Sequence, residues 1–214
     1  MRKSILIIGA GEGLSLATAE KFGQEGFTVG LINRDADKAK AMSDQLDKQG
    51  ISVYTAQADA TDEKALGAAI IALKAKLGTI DILLYNAAAL KQKDILEVEA
   101  QEFLEDFQVN VAAALKSVQL SLAYLQESKG AILLTGGGLA THPSPKNGTL
   151  AIGKAGIRNL ALQLNERLKA DDIYVGTLTI TAKVSPDSKI HNPTALAQAY
   201  WEMIQERSTA EKVL

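Results

Sequence analysis

The sequence predicts one α/β domain spanning residues 1–214, built as a doubly wound parallel sheet with helices on both faces. Short apolar runs alternate with helix-like segments along the whole chain, and strict alternation of this kind is typical of a parallel sheet. The first run, Ser4 to Ile8, is continuously apolar after its serine, as a strand buried on both faces should be. The composition, with 47% hydrophobic and 22% charged residues, fits one domain with a full-sized core.

Each predicted strand is a short apolar run, and each predicted helix follows from helical spacing or from a charged, solvated face. The predicted strands are Ser4 to Ile8, Phe27 to Ile32, Ile51 to Ala56, Ile80 to Leu84, Ala131 to Thr135 and Ile173 to Thr179, with Lys212 to Leu214 at most a remnant. The predicted helices are Leu14 to Gln24, Asp35 to Lys48, Asp62 to Leu77, about Ala100 to Gln126, Thr149 to Lys169 and Pro193 to Glu206. No linker or repeat divides the chain.

The charge balance and residue usage exclude several classes of function. With 23 basic and 25 acidic residues the net charge is −2, so no basic excess is available for a nucleic acid or an anionic membrane. The absence of Cys excludes disulfides and thiolate chemistry, and two histidines, His142 and His191, are too few for a zinc cluster. We therefore expect no metal site.

The first residues resemble a signal peptide, because two basic residues precede an apolar run. That run stops at glycines and acidic Glu12 follows, with no cleavage site of the usual kind. No window approaches the ~18 apolar residues of a membrane span. These features predict a soluble, cytoplasmic protein.

A glycine-rich turn, GAGEGLS, lies between the first predicted strand and the first helix. Its glycines are Gly9, Gly11 and Gly13, and Ser15 stands where the third glycine of G-x-G-x-x-G would be. Glycines allow a tight turn that approaches a pyrophosphate, whose charge is met by the helix N-terminus. The motif therefore indicates a dinucleotide site at the carboxyl ends of the strands, although it could also be a simple turn.

Asn33, Arg34 and Asp35 follow the second strand, near the distance of ~20 residues at which a cofactor ribose is read. An acidic residue at the strand end would accept from the 2′-hydroxyl of NAD. Neutral Asn33 followed by Arg34 favours a 2′-phosphate, and hence NADP(H) over NAD(H). In the alternative interpretation these residues form a solvated turn with Asp35 as a helix N-cap.

The order of these motifs along the chain closely resembles the short-chain dehydrogenase/reductase family, whose Rossmann-type fold binds NAD(P)(H). The motifs are GAGEGLS, ADATD (from Ala58), DILLYNAAA (from Asp81), VNVAAAL (from Val109), GAILLTGGG (from Gly130) and LAIGKAG (from Leu150). The resemblance implies positions for five residues beside the glycines. It places Asp59 at the adenine, Asn86 on the adenosine ribose side, Asn110 in the catalytic water relay and Lys154 at the nicotinamide ribose, with Thr181 the best candidate at the carboxamide.

The sequence departs from the family at the residues that move a proton. The family's tyrosine, four residues before the lysine, is replaced by Leu150, and its serine by Gly137. Asn110 and Lys154 remain from the four catalytic positions. After the sixth strand the family has a Pro-Gly pair, which is Ile180-Thr181 in this sequence. The family's usual final strand is also missing.

A substitute proton donor would have to come from a loop at a strand end. His142 is one candidate, since an imidazole has a pKa of ~6.5 in water. Tyr85 is another. For either residue the alternative is an ordinary structural or surface role.

Two functions remain open at this point. The first is an atypical NADP(H)-dependent oxidoreductase acting on a small carbonyl or alcohol. The second is a non-catalytic NADP(H)-binding sensor or regulatory protein. A Ser-His-Asp hydrolase is disfavoured, because no G-x-S-x-G elbow follows a strand.

The predicted helix Thr149 to Lys169 carries more apolar residues than one stripe needs. They are Ile152, Ile157, Leu160, Leu162, Leu164 and Leu168. The helix can therefore face both the sheet and a partner, which predicts a homodimer through the two long helices.

Overall fold

Seven parallel strands form the centre of the computed structural model, which describes residues 2–214. The strands are β1 (Ser4–Ile8), β2 (Thr28–Asn33), β3 (Val53–Gln57), β4 (Ile82–Tyr85), β5 (Ala131–Thr135), β6 (Tyr174–Thr179) and β7 (Glu211–Val213). The helices are α1 (Leu14–Gln24), α2 (Ala36–Asp47), α3 (Glu63–Leu77), α4 (Ala100–Phe107), α5 (Ala113–Ser128), α6 (Gly148–Leu168) and α7 (Pro193–Glu206). Strands and helices alternate, as the sequence predicts.

The strand order is β3-β2-β1-β4-β5-β6-β7, so the direction of winding reverses between β1 and β4. β1 pairs with β2 on one side and with β4 on the other, for example Ile8 with Ile32 and with Tyr85. Ligands of such sheets bind at this reversal, beyond the carboxyl ends of the strands. The fold therefore places the candidate site at the ends of β1 and β4.

Alternate residues of β1 enter two separate cores. Ile5 and Ile7 pack in the layer that contains α1 and α7, whereas Leu6 and Ile8 pack in the layer of α3, α5 and α6. This alternation follows from the two-residue period of a strand. It explains why the predicted first strand has no polar face, and it confirms the doubly wound sheet.

The predicted helix Ala100 to Gln126 is interrupted. A π-helical turn, Gln108–Ala112, separates α4 from α5 and contains Asn110. Periodicity cannot show one inserted residue, because the apolar pattern continues on both sides. Turns of this kind are often found at functional sites.

The strand remnant expected at Lys212 to Leu214 is a short strand of the sheet, so a final strand is present although the sequence lacks the family's usual one. β7 pairs in parallel with β6, through Thr177 with Glu211 and Thr179 with Val213. Arg158 of α6 holds this strand by two-pronged hydrogen bonds from Nε and Nη2 to the Glu211 carboxylate, at 2.8 to 3.0 Å. A three-residue strand is too short to recognise from apolar pattern alone. None of the helices formed by the described residues has the length and apolar character needed to cross a bilayer.

Candidate functional site

The candidate site is a row of loops at the carboxyl edge of the sheet. Because all the strands are parallel, the segments that follow them meet at this one edge. Gly9 follows β1 and Asn86 follows β4, directly beside it. The sequence therefore predicted correctly that these loops come together.

Gly9 is the glycine that the packing requires. Its φ is +82°, and a Cβ there would lie 2.3 Å from the backbone nitrogen of Ala87. Gly13 also has a positive φ, +86°, but open space surrounds it, and a Cβ on Gly11 would meet nothing within 4 Å. The first glycine thus packs two strand ends together, while the other two leave the backbone uncovered.

The N-terminus of α1 is free of competing side chains. Gly13 is its N-cap and makes no side-chain cap, and the first turn carries no acidic residue. Buried Ser15 donates its hydroxyl to the Gly9 carbonyl at 3.1 Å. The orphan amides and the positive end of the helix dipole therefore remain available to an anion. Exposed Glu12, in the turn itself, opposes such binding slightly.

The side-chain amide of Asn33 makes hydrogen bonds within the protein. Its Nδ2 donates to the Ala10 carbonyl, and its Oδ1 accepts from Asp35 N at 2.8 Å. Asp35 in turn caps α2 by accepting from the amides of its first turn. The capping role that the sequence offered as an alternative is therefore present, and Asn33 ties the glycine turn to the end of β2.

Arg34 and Asp59 end neighbouring strands, and both side chains are exposed. The Asp59 carboxylate accepts from Thr61 Oγ1 at 2.7 Å and Thr61 N at 2.8 Å. These bonds, helped by the nearby Arg34 charge, hold the pKa of Asp59 below its usual value. Asp59 is thus ionised and fixed in direction at the end of β3.

Asn86 has both ends of its amide occupied. Nδ2 donates to Ser15 Oγ at 2.7 Å, and Oδ1 accepts from Thr135 Oγ1 at 2.8 Å. The side chain therefore bridges the glycine turn to the end of β5. Its predicted place on the adenosine ribose side is not tested by these contacts.

Lys154 reaches the same strand end from α6. Its Nζ donates to the Thr135 carbonyl at 2.8 Å, and its stem covers Gly137. Burial lowers the pKa of this ammonium to about 8, and no carboxylate of the described chain pairs with it. One of three N–H donors is used, which leaves two for a ligand.

Asn110, in the π-helical turn, is buried between the β4 loop and α6. Its Oδ1 accepts from Ala89 N at 2.8 Å, and its Nδ2 has no partner within the described part of the chain. A Cβ on Gly153, next to Lys154, would lie 2.7 Å from Asn110 Cβ. The packing therefore brings Asn110 against the turn of α6 that carries Lys154.

The two positions that resemblance assigns to proton transfer offer no hydroxyl. Leu150 is partly buried, one turn before Lys154. Gly137 is buried, and a Cβ there would touch the Lys154 stem at 3.3 Å. The lysine stem fills the space that a side chain at position 137 would use.

The two candidate substitute donors have opposite surroundings. His142 is exposed, and its ring Nδ1 lies 3.0 Å from Thr141 Oγ1 on the same loop. Tyr85 is buried and donates its hydroxyl to the Val109 carbonyl at 2.5 Å, while burial raises its pKa. Tyr85 therefore has a structural role, in which its hydroxyl supports the π-helical turn instead of binding water.

Thr181 binds another part of the chain. Its backbone N and its Oγ1 both donate to the Leu214 carbonyl oxygen, each at 2.6 Å. Position 181 therefore holds the residue after β7. A contact from Thr181 to a carboxamide would need Oγ1 to leave this partner, so that assignment stays a prediction.

Two shallow cavities lie on the surface of the protein. One, of about 300 Å³, lies between α1 and the segment before α7, against Gly13, Leu16, Pro186 and Asn192. The other, of about 400 Å³, lies on α4 between Ile95 and Leu104, away from the strand ends. Only the first adjoins the glycine turn.

A family model described as short chain dehydrogenase matches residues 3–187. The chain belongs to the short-chain dehydrogenase family. This family consists of oxidoreductases that bind NAD(P)(H), and the match covers every strand-end loop described above except the residues after β7.

Known oxidoreductases are similar over most of this chain. The oxidoreductase asL5 of Sarocladium schorii is 28% identical over 83% of this chain and 70% of its own length. The 7alpha-hydroxysteroid dehydrogenase of Escherichia coli (strain K12) is 27% identical over 84% of this chain and 72% of its own.

Two solved structures show the same fold at lower identity. An alcohol dehydrogenase from Thermococcus sibiricus, complexed with 5-hydroxy-NADP, superposes with a TM-score of 0.89 at 19% identity, covering 100% of this chain and 96% of that one. A 3-ketoacyl-(acyl-carrier-protein) reductase from Brucella melitensis, complexed with NADH, gives 0.89 at 22% identity, covering 99% and 96%.

Sequence reasoning missed two residues of this short-chain dehydrogenase site. Thr135 accepts from Lys154 through its carbonyl and donates to Asn86 through its hydroxyl. Tyr200 of α7 lies 2.7 Å from the same hydroxyl. A threonine that ends a buried strand was a usable signal, but nothing local connects position 200 to β5.

Proposed function

We propose that this short-chain dehydrogenase is an NADP(H)-dependent oxidoreductase of atypical chemistry, acting on a small carbonyl or alcohol. The observation that carries the proposal is Lys154, a half-buried lysine at the carboxyl edge of the sheet, whose ammonium has two donors left over and no carboxylate partner among residues 2–214. A buried cation without a partner is unfavourable unless a ligand uses it. The ribose hydroxyls of a dinucleotide would accept hydrogen bonds from this ammonium, and a nearby phosphate would balance its charge.

The dinucleotide would lie across the switch between β1 and β4. Its pyrophosphate would meet the uncovered backbone of Gly11 and Gly13 and the uncapped start of α1, beside the turn that Gly9 makes possible. Asp59 and Asn86 would face its adenosine half, and Lys154 its nicotinamide ribose. When bound, the cofactor supplies or accepts the hydride.

The protein's own part in the chemistry would be to hold a proton near the reacting oxygen. Lys154 Nζ is the candidate, because its pKa of about 8 is close to neutral pH, where a general acid works best. Asn110, buried against the same turn of α6, would support it. The loss of a phenol at position 150 should reduce the rate by ~10²- to 10⁴-fold relative to a complete site. His142 stays a weaker candidate, because it is exposed on a loop.

NADP(H) is favoured over NAD(H) by Arg34 and Asn33 at the end of β2. The exposed guanidinium would pair with a 2′-phosphate, and no carboxylate at position 33 would accept from a 2′-hydroxyl. The solved relatives include complexes with an NADP derivative and with NADH, so the family does not decide the matter.

The second candidate is a sensor that binds NADP(H) without turnover. Leu150 and Gly137 favour it, since both hydroxyls that resemblance assigns to the reaction are absent while the strand-end loops are intact. A sensor predicts tight NADPH binding, no oxidation with any carbonyl, and a partner whose binding depends on NADPH.

Calorimetry with NADPH and NADH, followed by NADPH oxidation across a panel of carbonyls, separates the two candidates. Turnover that Lys154→Ala abolishes and His142→Ala leaves intact supports the enzyme with Lys154 as donor. Binding without turnover favours the sensor. If millimolar NADPH and NADH give no heat and no thermal shift, both candidates are wrong.

A homodimer through the long helices is part of the proposal. Ile152, Ala155, Asn159 and Leu162 share an exposed face of α6, with spacings of three and four residues. Ile152 is 40% exposed and Leu162 37%, which is high for large apolar side chains. Light scattering should give twice the mass of one chain, and Leu162→Glu should reduce it to one chain.

A further inference from the structure

A continuous path of hydrogen bonds runs from the glycine turn to α7. Ser15 Oγ donates to Gly9 O at 3.1 Å, and Asn86 Nδ2 donates to Ser15 Oγ at 2.7 Å. Thr135 Oγ1 donates to Asn86 Oδ1 at 2.8 Å and lies 2.7 Å from Tyr200 OH. The path joins β1, α1, β4, β5 and α7, and it crosses the switch in the sheet.

The direction of every bond in this path follows from its first acceptor. Gly9 O is a carbonyl and can only accept, so Ser15 must give it the single hydroxyl proton. Ser15 therefore accepts from Asn86, which must turn its NH₂ group toward Ser15 and its oxygen toward Thr135. Thr135 then gives its own proton to Asn86.

Tyr200 is consequently the donor at the far end. The Thr135 hydroxyl has no second proton, so the 2.7 Å contact is a bond from Tyr200 OH to Thr135 Oγ1. Tyr200 is 0% exposed, and burial raises the pKa of its hydroxyl, which keeps the proton in place. The phenol cannot be replaced by water without opening the core between α1 and α7.

The path ends at a sterically demanding position. Gly9 has a φ of +82° and stands against Ala87 with no space for a Cβ. Ser15 holds the Gly9 carbonyl directly, and Asn86 fixes the Ser15 hydroxyl. Thr135 also offers its carbonyl to Lys154, so one residue connects the turn with the buried ammonium.

We propose that Tyr200 is a positioning residue for dinucleotide binding, which it supports through Thr135, Asn86 and Ser15 by holding the turn at Gly9 in its binding shape. The inference rests on the proposed function, because it requires that the turn binds the two phosphates of a dinucleotide. Tyr200 itself touches no ligand.

Calorimetric titration of Tyr200→Phe with NADPH and with ADP tests this. ADP carries the two phosphates without the nicotinamide, so both ligands should bind about three- to tenfold more weakly if the turn is affected. Thr135→Val should weaken the binding of NADPH and of ADP at least as much. Thr135→Ser keeps the hydroxyl and should bind both ligands like the wild type. The double variant should be no weaker than Thr135→Val alone, since Tyr200 acts through Thr135.

Tyr174→Phe is the matched control. This phenol is also buried and donates to the Thr209 carbonyl at 2.7 Å. However, Tyr174 lies at the amino end of β6, whereas Thr135 lies at the carboxyl end of the neighbouring β5. Both Tyr→Phe variants should lose thermal stability, and only Tyr200→Phe should lose affinity.

The outcomes separate the inference from the function beneath it. If the wild type binds NADPH and Tyr200→Phe binds both ligands equally well, the inference is overturned while the proposed function stands. If Tyr200→Phe does not fold, unchanged affinity in Thr135→Val overturns the inference instead. If the wild type binds neither ligand, the proposed function fails and the inference with it.

Discussion

Lys154 Nζ donates to the backbone carbonyl of Thr135 at 2.8 Å, and this neutral acceptor is the only hydrogen-bond partner of the ammonium within the described chain. Lys154 is half-buried as a residue, and the partial loss of solvent around its ammonium lowers the pKa from 10.5 to about 8. A charge buried in this way destabilises the unliganded protein and is stabilised by an anionic ligand.

Lys154→Met should stabilise the protein without ligand while weakening dinucleotide binding. Below about pH 8 the folded and unfolded chains both carry the charge, so the penalty of burying it is complete. Removing it should raise the free energy of unfolding at pH 7 by on the order of 2 kcal/mol. Urea unfolding and calorimetry with NADPH measure the two effects.

The stability difference between Lys154→Met and wild type should also depend on pH. Between about 8 and 10.5 the unfolded chain binds more protons than the folded one, so wild-type stability rises with pH and the difference closes. Lys146→Met, which changes an exposed lysine before α6, should show no such trend. A Lys154→Met protein less stable than wild type at pH 7 would contradict the assignment of an unpaired buried charge.

Substitutions in the glycine turn should separate folding from binding. Gly9→Ala would place a Cβ 2.3 Å from Ala87 N at a φ of +82°, so a loss of about 3 kcal/mol or more in unfolding free energy is expected. Gly11→Ala meets nothing within 4 Å and should change stability by less than about 0.5 kcal/mol. Its methyl group would still cover the backbone that a pyrophosphate approaches, so ADP should bind more weakly in calorimetry. Unchanged ADP affinity in Gly11→Ala would place the phosphates elsewhere.

Restoring the two hydroxyls should increase turnover. Leu150→Tyr together with Gly137→Ser places a phenol four residues before Lys154, on one helix face, where the ammonium lowers the phenol pKa. The serine Cβ would meet the flexible Lys154 stem at 3.3 Å, which can move aside. We expect NADPH-dependent carbonyl reduction to rise by ~10²-fold or more. Leu150→Phe with Gly137→Ser controls for ring packing, and equal rates in the two double variants would argue against the proposed geometry.

Arg34→Ala should remove the preference for NADP(H). Loss of a charge-assisted bond to the 2′-phosphate should weaken the binding of NADPH by about tenfold or more. The affinity for NADH should stay nearly unchanged. Lys38→Ala, one turn into α2 and 69% exposed in its side chain, is the control for general charge. Competitive titration of the two dinucleotides measures the ratio, and an equal loss for both would assign Arg34 to another role.

The sheet and most of its elements could be read from local pattern. Continuous apolar runs such as Ser4 to Ile8 exist because a parallel strand buried on both faces has no polar side, and β5 and α7 have the predicted bounds. The π-helical turn and the pairing of β7 with β6 escaped prediction for opposite reasons. One inserted residue does not disturb an apolar pattern, and a three-residue strand is too short to show one.

What the sequence determined by itself is the inventory of the site: a glycine turn at the end of β1, a lysine in α6, and neither a tyrosine at position 150 nor a serine at 137. The tertiary structure decided the connections. Asn33 and Asn86 have their amide groups occupied within the protein, Thr181 binds Leu214, and Tyr200 reaches Thr135 across 65 residues of sequence. Hydrogen-bond partners depend on which chain segments the packing brings within about 3 Å, and no local periodicity carries that information.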